Sequence, residues 1–221
     1  QAGPRYTSYP TADRFVEAFG EDDYRAALMS RSGTAFGQFV PLSLYVHIPF
    51  CESLCYYCAC NKIITKHHDR AKAYLAYLAR EIALHTALLG KRQKVTQLHL
   101  GGGSPTFLNA QELQALMALL RDNFDIQSGA ELSIEVDPRT IAPEMLDTLQ
   151  ALGFNRLSMG VQDLDPQVQK AVHRIQPAEQ TWDLIQTAAS LCFDSVNIDL
   201  IYGLPQQTES SFARTIEHVC H

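Results

Sequence analysis

The chain has 221 residues, of which 46% are apolar and 19% charged, and its net charge is −6. This composition is typical of a globular protein with one substantial core. No apolar run reaches the roughly 18 residues that span a bilayer, and no dense stripe of Lys and Arg indicates a nucleic-acid surface. The opening residues do not resemble a signal peptide. We therefore expect a cytoplasmic protein with neither a membrane nor a nucleic-acid partner. We also expect a monomer, although composition does not determine the oligomeric state.

Residues 1–41 have an irregular pattern apart from a short helical stretch near Asp22–Ser30, and after them strand-like runs alternate with helical patterns. The strand-like runs lie at about residues 42–48, 95–100, 131–136, 155–161 and 195–201. Residues with capping side chains precede the helical patterns at Asp69, Asn109, Asp165 and Thr208. Five consecutive βα units predict a parallel sheet with helices packed on it.

The strand-like runs alternate between apolar and polar residues. In the first run, Leu42, Leu44 and Val46 alternate with Ser43, Tyr45 and His47. Because successive side chains of a strand point to opposite faces, each strand has one polar face. Strands of parallel sheets are usually apolar on both faces. The pattern therefore favours a sheet curled into an open barrel around polar ligands, and a flat sheet with one hydrated face is the alternative.

Four of the six cysteines follow the first strand within ten residues: Cys51, Cys55, Cys58 and Cys60. Clustered cysteines in a reducing compartment indicate a metal or redox site, and the loop after a barrel strand is where such sites are built. Three thiolates spaced as Cys51-x3-Cys55-x2-Cys58 can bind three corners of a cubane iron–sulfur cluster and leave the fourth iron open. A zinc site with Cys60 or His47 as fourth ligand, and inert buried cysteines, are the alternatives.

Several stretches resemble a known family. The spacing of the three cysteines is similar to the radical S-adenosylmethionine (SAM) signature. More of the chain resembles the oxygen-independent coproporphyrinogen III oxidases, anaerobic enzymes of haem biosynthesis in that superfamily. The similar stretches are GPRYTSYPT (3–11), YVHIPFC (45–51), CACNK (58–62), GGGSPT (101–106), IEVDPR (134–139), RLSMGVQ (156–162) and NIDLIYGLP (197–205). The first and third are the specific ones, because haem-chaperone relatives typically lack them. Small departures occur at Tyr57, Ser104 and His173, where the family commonly has Phe, Thr and Asn.

The resemblance implies an α/β fold: a radical SAM partial (β/α)6 barrel of the TIM-like kind, truncated here after about five βα units. We expect residues 42–221 to form this incomplete barrel and residues 1–41 to be an N-terminal extension near the active site, with Arg5 and Tyr6 over it. Family members continue through a sixth strand and a C-terminal domain. We therefore interpret the sequence as a fragment and expect it to be inactive by itself.

The resemblance also implies the reaction, an oxidoreduction that converts two propionates of coproporphyrinogen III to vinyl groups and gives protoporphyrinogen IX. A 4Fe–4S cluster on Cys51, Cys55 and Cys58 would cleave SAM to a 5′-deoxyadenosyl radical. That radical would take a hydrogen from a propionate before CO2 leaves. The electron donor is not identified by the sequence. A haem chaperone or another haem-related paralogue on the same scaffold is the alternative function.

By position match, the family implies two bound SAM molecules. The first, at the cluster, would contact Tyr45, Gly102 and Glu135, and Tyr45 is also expected to be catalytic. The second would contact Tyr57, Gly103, Ser104, Gln162, Arg174 and Asp199. The residue types alone leave other roles open: a plain turn for the glycines at 101–103, a structural ion pair for Glu135 or Asp199, and a helix-surface position for Arg174.

Overall fold

The computed structural model of the chain describes residues 14–30, 40–90 and 92–220. Within these residues, seven α-helices and seven strands follow one another. In chain order they are α1 (Glu21–Ser30), β1 (Leu42–Ile48), β2 (Phe50–Cys51), β3 (Ile63–Ile64), α2 (Arg70–Leu89), β4 (Gln93–Gly102), α3 (Ala110–Asn123), β5 (Phe124–Val136), α4 (Glu144–Ala151), β6 (Arg156–Gln162), α5 (Pro166–Ala171), α6 (Ala178–Ser190), β7 (Ser195–Leu200) and α7 (Glu209–Cys220). None of these helices combines the length and the apolar character needed to cross a membrane.

Five strands form one parallel sheet in the order β1-β4-β5-β6-β7. The spatial order of the strands is the same as their order along the chain. Such an order results when each strand is connected through a helix to the parallel strand beside it. All five expected strands are confirmed, although β4 and β5 begin earlier than the alternation predicts. Within the described residues, β1 and β7 are the two edges of this sheet. A separate parallel pair, β2 and β3, lies at the cysteines.

The core lies between the apolar face of the sheet and the helices. Ile134 of β5 and Leu157 of β6 are fully buried there, in the same apolar cluster as Leu113 and Met117 of α3. Each such side chain contributes about 1.5–3 kcal/mol of transfer free energy. The opposite faces of β5, β6 and β7 contribute polar side chains to a single cavity. The sheet therefore curves around a polar interior, and the partial barrel expected from the alternation is confirmed.

Three of the capping residues predicted from the sequence form cap hydrogen bonds at helix starts. Asn109 and Glu112 form a complete capping box at α3, with side-chain to backbone distances of 3.0 Å in both directions. Asp165 accepts hydrogen bonds from two backbone amides of α5, and the Thr208 hydroxyl accepts one from a backbone amide of α7 at 3.1 Å. Asp69 precedes α2 without a side-chain cap bond. These bonds pair backbone donors that a helix start leaves open.

The segment between β6 and β7 differs from the expectation of one helix after Asp165. The chain forms two helices there, α5 and α6, because residues 172–177 leave the helical conformation. His173 has a φ of 57°, in the left-handed region that cannot continue a right-handed helix. The break directs residues 172–174 toward the cysteines instead of along a helix.

The described part of the N-terminal extension lies against α2. The Tyr24 hydroxyl is 3.3 Å from His85 Nδ1, and the two rings meet edge to face. Most of the extension, including Arg5 and Tyr6, lies outside the described residues. Its expected position near the active site therefore stays a prediction.

Candidate functional site

Residues 49–62, hereafter the cysteine loop, follow β1 at the carboxyl end of the sheet. Cys55 is buried, Cys51 and Cys58 are half-buried, Cys60 is exposed, and none of them forms a disulfide. All four line one cavity of about 180 Å³. The sequence expectation that the cysteines lie at the barrel mouth agrees with this placement.

Residues 101–106, hereafter the glycine loop, comprise the end of β4 and the turn after it, and they hold the start of the cysteine loop. Gly103 donates its amide to the Ile48 carbonyl and Ser104 donates to the Phe50 carbonyl, both at 2.8 Å. A Cβ on Gly103 would lie 2.7 Å from the Phe50 oxygen, so only glycine permits this approach of two backbones. The loop is therefore more than a plain turn, since it fixes the backbone that leads into Cys51.

Gly102, a second position of the same loop, also requires glycine. Its φ of 118° favours glycine, and a Cβ there would lie 2.8 Å from the ring of His47. His47 Nε2 is 2.7 Å from the Asn61 carbonyl, and Nδ1 is 2.9 Å from the Tyr45 hydroxyl. Because a carbonyl only accepts, Nε2 of the neutral ring donates and Nδ1 accepts the Tyr45 hydrogen. His47 thus links Tyr45 to the end of the cysteine loop.

Residues 172–174, hereafter the brace, hold the middle of the cysteine loop. Tyr56 donates its amide to the Val172 carbonyl at 3.0 Å. His173 Nδ1 donates to the Leu54 carbonyl at 2.8 Å, and its ring stacks on Tyr56 with centroids 5.2 Å apart. The left-handed backbone of His173 is what turns the brace toward the loop. The sequence singled out His173 only as a departure from the family pattern.

Two guanidinium groups contact the Cys55 sulfur, and one carboxylate joins them. Arg139 Nη2 and Arg174 Nη1 each lie 3.6 Å from it. Asp137 joins the two arginines, with distances of 2.6 Å to Arg139 and 3.3 Å to Arg174. Burial raises the pKa of Asp137, but the hydrogen bond from Arg139 and the charges of both arginines outweigh it, so the pKa lies below its usual value. Asp137 and Arg139 were not predicted as site residues, although the IEVDPR stretch contains both.

The cysteine sulfurs lie close enough to influence one another. Burial, followed by the proximity of Cys58, raises the pKa of the Cys51 thiol to about 11, and burial beside Cys58 also raises the pKa of Cys60. Among the described residues, no three His, Cys, Asp or Glu side chains converge as ligands of one metal ion. A zinc ion needs sulfurs about 2.3 Å from one point, whereas a cubane cluster binds each thiolate at a different iron. Three free thiols on one loop that line a common cavity are a donor set of the kind that an iron–sulfur cluster binds.

Glu135, at the end of β5, lies beside the glycine loop. One carboxylate oxygen accepts the Gly102 amide at 3.2 Å, and the other is 3.3 Å from His99 Nε2. His99 Nδ1 lies 2.6 Å from the Ser133 hydroxyl, and the ring stacks on Tyr45. Tyr45, Gly102 and Glu135, expected around one SAM molecule, thus form one contiguous group. His99, which orients two of them, was not among the predicted site residues.

Three of the residues expected around the second SAM molecule lie on β6, β7 and the brace: Gln162, Asp199 and Arg174. Gln162 Nε2 and Arg174 Nη2 both lie against Gly160, within 2.7 and 3.3 Å of where a Cβ would stand. Ser158 donates its hydroxyl to Asp199 at 3.0 Å. Burial raises the pKa of the Tyr57 hydroxyl. Eight of the nine predicted cofactor-binding residues line the cavity: Tyr57, Gly102, Gly103, Ser104, Glu135, Gln162, Arg174 and Asp199. Tyr45 lies beside it and is 58% exposed.

Comparison with known proteins places this arrangement in a family. The family model of the radical SAM superfamily matches residues 45–219. The chain is 52% identical to the oxygen-independent coproporphyrinogen III oxidase of Escherichia coli and 50% identical to that of Pseudomonas aeruginosa, over 99% of this chain in both cases. It covers 46% and 47% of those proteins. The chain therefore spans about half the length of these curated relatives.

The fold has solved counterparts. The structure of the Escherichia coli coproporphyrinogen III oxidase, described as a radical SAM enzyme, matches with a TM-score of 0.88 and 51% identity over 97% of this chain and 48% of that one. Methylornithine synthase matches with a TM-score of 0.53 at 12% identity, over 90% of this chain and 57% of that chain. The second match concerns the fold alone. From its cysteine spacing, its partial barrel and the match over residues 45–219, the chain belongs to the radical SAM superfamily, which implies a 4Fe–4S cluster and SAM.

Proposed function

We propose that this chain is the radical SAM half of an oxygen-independent coproporphyrinogen III oxidase, which converts two propionates of coproporphyrinogen III to vinyl groups in anaerobic haem biosynthesis. The observation that carries the proposal is 52% identity to such an enzyme across 99% of the chain. The proposal includes a cytoplasmic monomer and an external one-electron donor. The reaction belongs to the whole enzyme, so we expect this chain alone to bind the cluster without turning over substrate.

Cys51, Cys55 and Cys58 would hold the cluster. When bound, the cluster and SAM together supply the 5′-deoxyadenosyl radical. The chain contributes a loop whose backbone is fixed on two sides, by the glycine loop and by the brace. Fixing these ligands before loading reduces the ordering entropy that binding would otherwise cost.

Tyr45, Gly102 and Glu135 would bind the SAM molecule at the cluster. The Tyr45 hydrogen is directed to His47, so its oxygen lone pairs remain available to accept. Together with the Glu135 carboxylate, they form an electronegative corner for an ammonium or sulfonium group. Tyr45 would therefore act by holding a cationic group in place, rather than by donating a proton.

The remaining six residues would bind a second SAM molecule. Arg174 is buried and lines the cavity, and its guanidinium suits the carboxylate of a ligand. Asp199, oriented by Ser158, suits ribose hydroxyls or an ammonium group. Gln162 has a φ of 71°, a strained conformation of the kind that clusters at binding sites.

The test has two stages under anaerobic conditions. The chain is first reconstituted with iron and sulfide, and we expect a 4Fe–4S cluster with labile sulfide that Cys58→Ala abolishes. A chimera carrying residues 1–221 in place of the matching half of the Escherichia coli enzyme is then assayed with coproporphyrinogen III. Vinyl products would support the proposal. Stoichiometric zinc without labile sulfide would refute the cluster, and haem binding without vinyl formation would identify a haem chaperone instead.

A further inference from the structure

The Cys55 sulfur differs from the sulfurs of the other two expected cluster ligands. It accepts from two guanidinium groups, those of Arg139 and Arg174, each at 3.6 Å. In the part of the chain that the structure describes, no Lys or Arg side chain donates to the sulfur of Cys51 or Cys58. Two positively charged groups therefore lie at one sulfur of the site, whereas the Lys62 ammonium near Cys58 donates to backbone carbonyls and not to a sulfur.

We propose that Arg139, with Arg174, raises the reduction potential of the cluster through Cys55, and that Asp137 limits this effect. The proposal rests on the proposed function, because it requires a cluster at these cysteines. Reduction adds one electron to the cluster from a low-potential one-electron donor, and no covalent bond forms or breaks. Hydrogen bonds and positive charge at a ligating sulfur stabilise the reduced, more negative state.

The charge of each group near Cys55 defines the direction in which it would shift the reduction potential. Two guanidiniums and one carboxylate leave a positive excess at Cys55. The charged side chains are little screened by water, since those of Arg139, Asp137 and Arg174 are 17%, 15% and 8% exposed. Asp137 holds Arg139 through Nε and Nη2, and Nη2 also faces the sulfur. Arg139 is thus a positioning residue that acts on the cluster through Cys55.

A matched control exists in the same barrel. Arg156 pairs with Glu131 at 3.1 Å on the polar face of the sheet, but it donates to no cysteine sulfur. Arg156→Gln therefore removes the arginine of a more exposed ion pair, whose side chains are 36% and 44% exposed, without changing the charge next to Cys55. Arg139→Lys keeps the charge but not the planar fork of donors.

The experiment is a redox titration, followed by electron paramagnetic resonance, of the anaerobically reconstituted chain without SAM or substrate. We expect Arg139→Gln to shift the midpoint potential to a more negative value and Asp137→Asn to a more positive one. Arg139→Lys should fall between Arg139→Gln and the unmodified chain, and Arg156→Gln should leave the potential unchanged.

Equal potentials in all variants, or shifts of Arg139→Gln and Asp137→Asn in the same direction, would overturn the inference. If Arg139→Gln fails to load a cluster, the nearly isosteric Asp137→Asn decides alone: a positive shift supports the inference, and any other result overturns it. An unmodified chain without labile sulfide would overturn this inference and the proposed function together. If clusters are loaded but the midpoint potentials of the variants are not shifted, only this inference is overturned, and the proposed function is not.

Discussion

Gly103→Ala should separate the glycine loop from the cysteine loop. The new Cβ would lie 2.7 Å from the Phe50 oxygen and 2.8 Å from two atoms of the Pro49 carbonyl group, where ordinary contact begins near 3.4 Å. The two backbones must therefore move apart by about 0.7 Å, the difference between 2.7 and 3.4 Å. Such a shift weakens the two 2.8 Å hydrogen bonds at Ile48 and Phe50.

The cost combines two effects. Overpacking at a site that cannot relax costs about 1–3 kcal/mol, and each backbone hydrogen bond contributes about 1 kcal/mol. Because these effects overlap, we expect a loss of about 2–4 kcal/mol in the free energy of unfolding. For a chain of this size, each kcal/mol lowers the melting temperature by about 2–4 °C, which gives a decrease of roughly 4–16 °C.

The assay compares urea and thermal unfolding of the chain with Gly103→Ala and with Gly129→Ala as the control. A Cβ at Gly129 in β5 meets no atom within 4 Å, so the control should unfold almost as the unmodified chain does. The iron and labile sulfide retained after reconstitution form the second readout, and we expect a loss only in Gly103→Ala. If the two variants have the same stability and the same sulfide content, the glycine loop does not position the cysteine loop.

Three further predictions concern other contacts of the site. His173→Gly keeps a residue that tolerates positive φ but removes the donor to the Leu54 carbonyl. In this variant the visible absorbance of the reconstituted cluster should decay faster when a chelator is added, whereas in His173→Asn, which keeps a donor, it should persist. Equal decay rates in the two variants would contradict this. Tyr45→Phe removes the hydroxyl bound to His47 and should weaken SAM binding by about 3- to 10-fold in equilibrium dialysis; unchanged affinity would exclude a contact by that oxygen. Asp137 has a lowered pKa in the folded chain, so its stabilising contribution is present above the ordinary value of about 3.9 and is lost as pH falls through the lower folded value. The difference in urea stability between Asp137→Asn and the unmodified chain should therefore shrink from pH 6 to pH 3, and a difference independent of pH would refute the ion-pair explanation.

The periodic features of the sequence predicted the periodic features of the fold. Alternation in runs such as 131–136 gave the strands and their polar faces, because a strand repeats every two residues. The capping pair Asn109 and Glu112 gave the start of α3, because a cap is a contact over three residues. The Cys51–Cys58 spacing predicted that three cysteines lie together at one cavity, since they are close in the chain.

The contacts that the sequence did not predict join distant residues or depend on one backbone angle. Arg139 and Arg174 reach Cys55 across 84 and 119 residues of chain, and no local pattern reports such a pairing. The brace depends on the positive φ of His173, which histidine adopts only where the surrounding structure imposes it. His99 was visible only as one more polar residue of an alternating strand, and its contact with Glu135 required the register of β4 with β5.

The hold on the cysteine loop has a consequence for which changes the loop can tolerate. The loop is tied by backbone hydrogen bonds to the glycine loop and to the brace, and none of these bonds involves the sulfur of an expected cluster ligand. The atoms that fix the loop and the atoms expected to bind the cluster are thus different. A substitution that removes one expected ligand sulfur therefore leaves each of these backbone bonds in place.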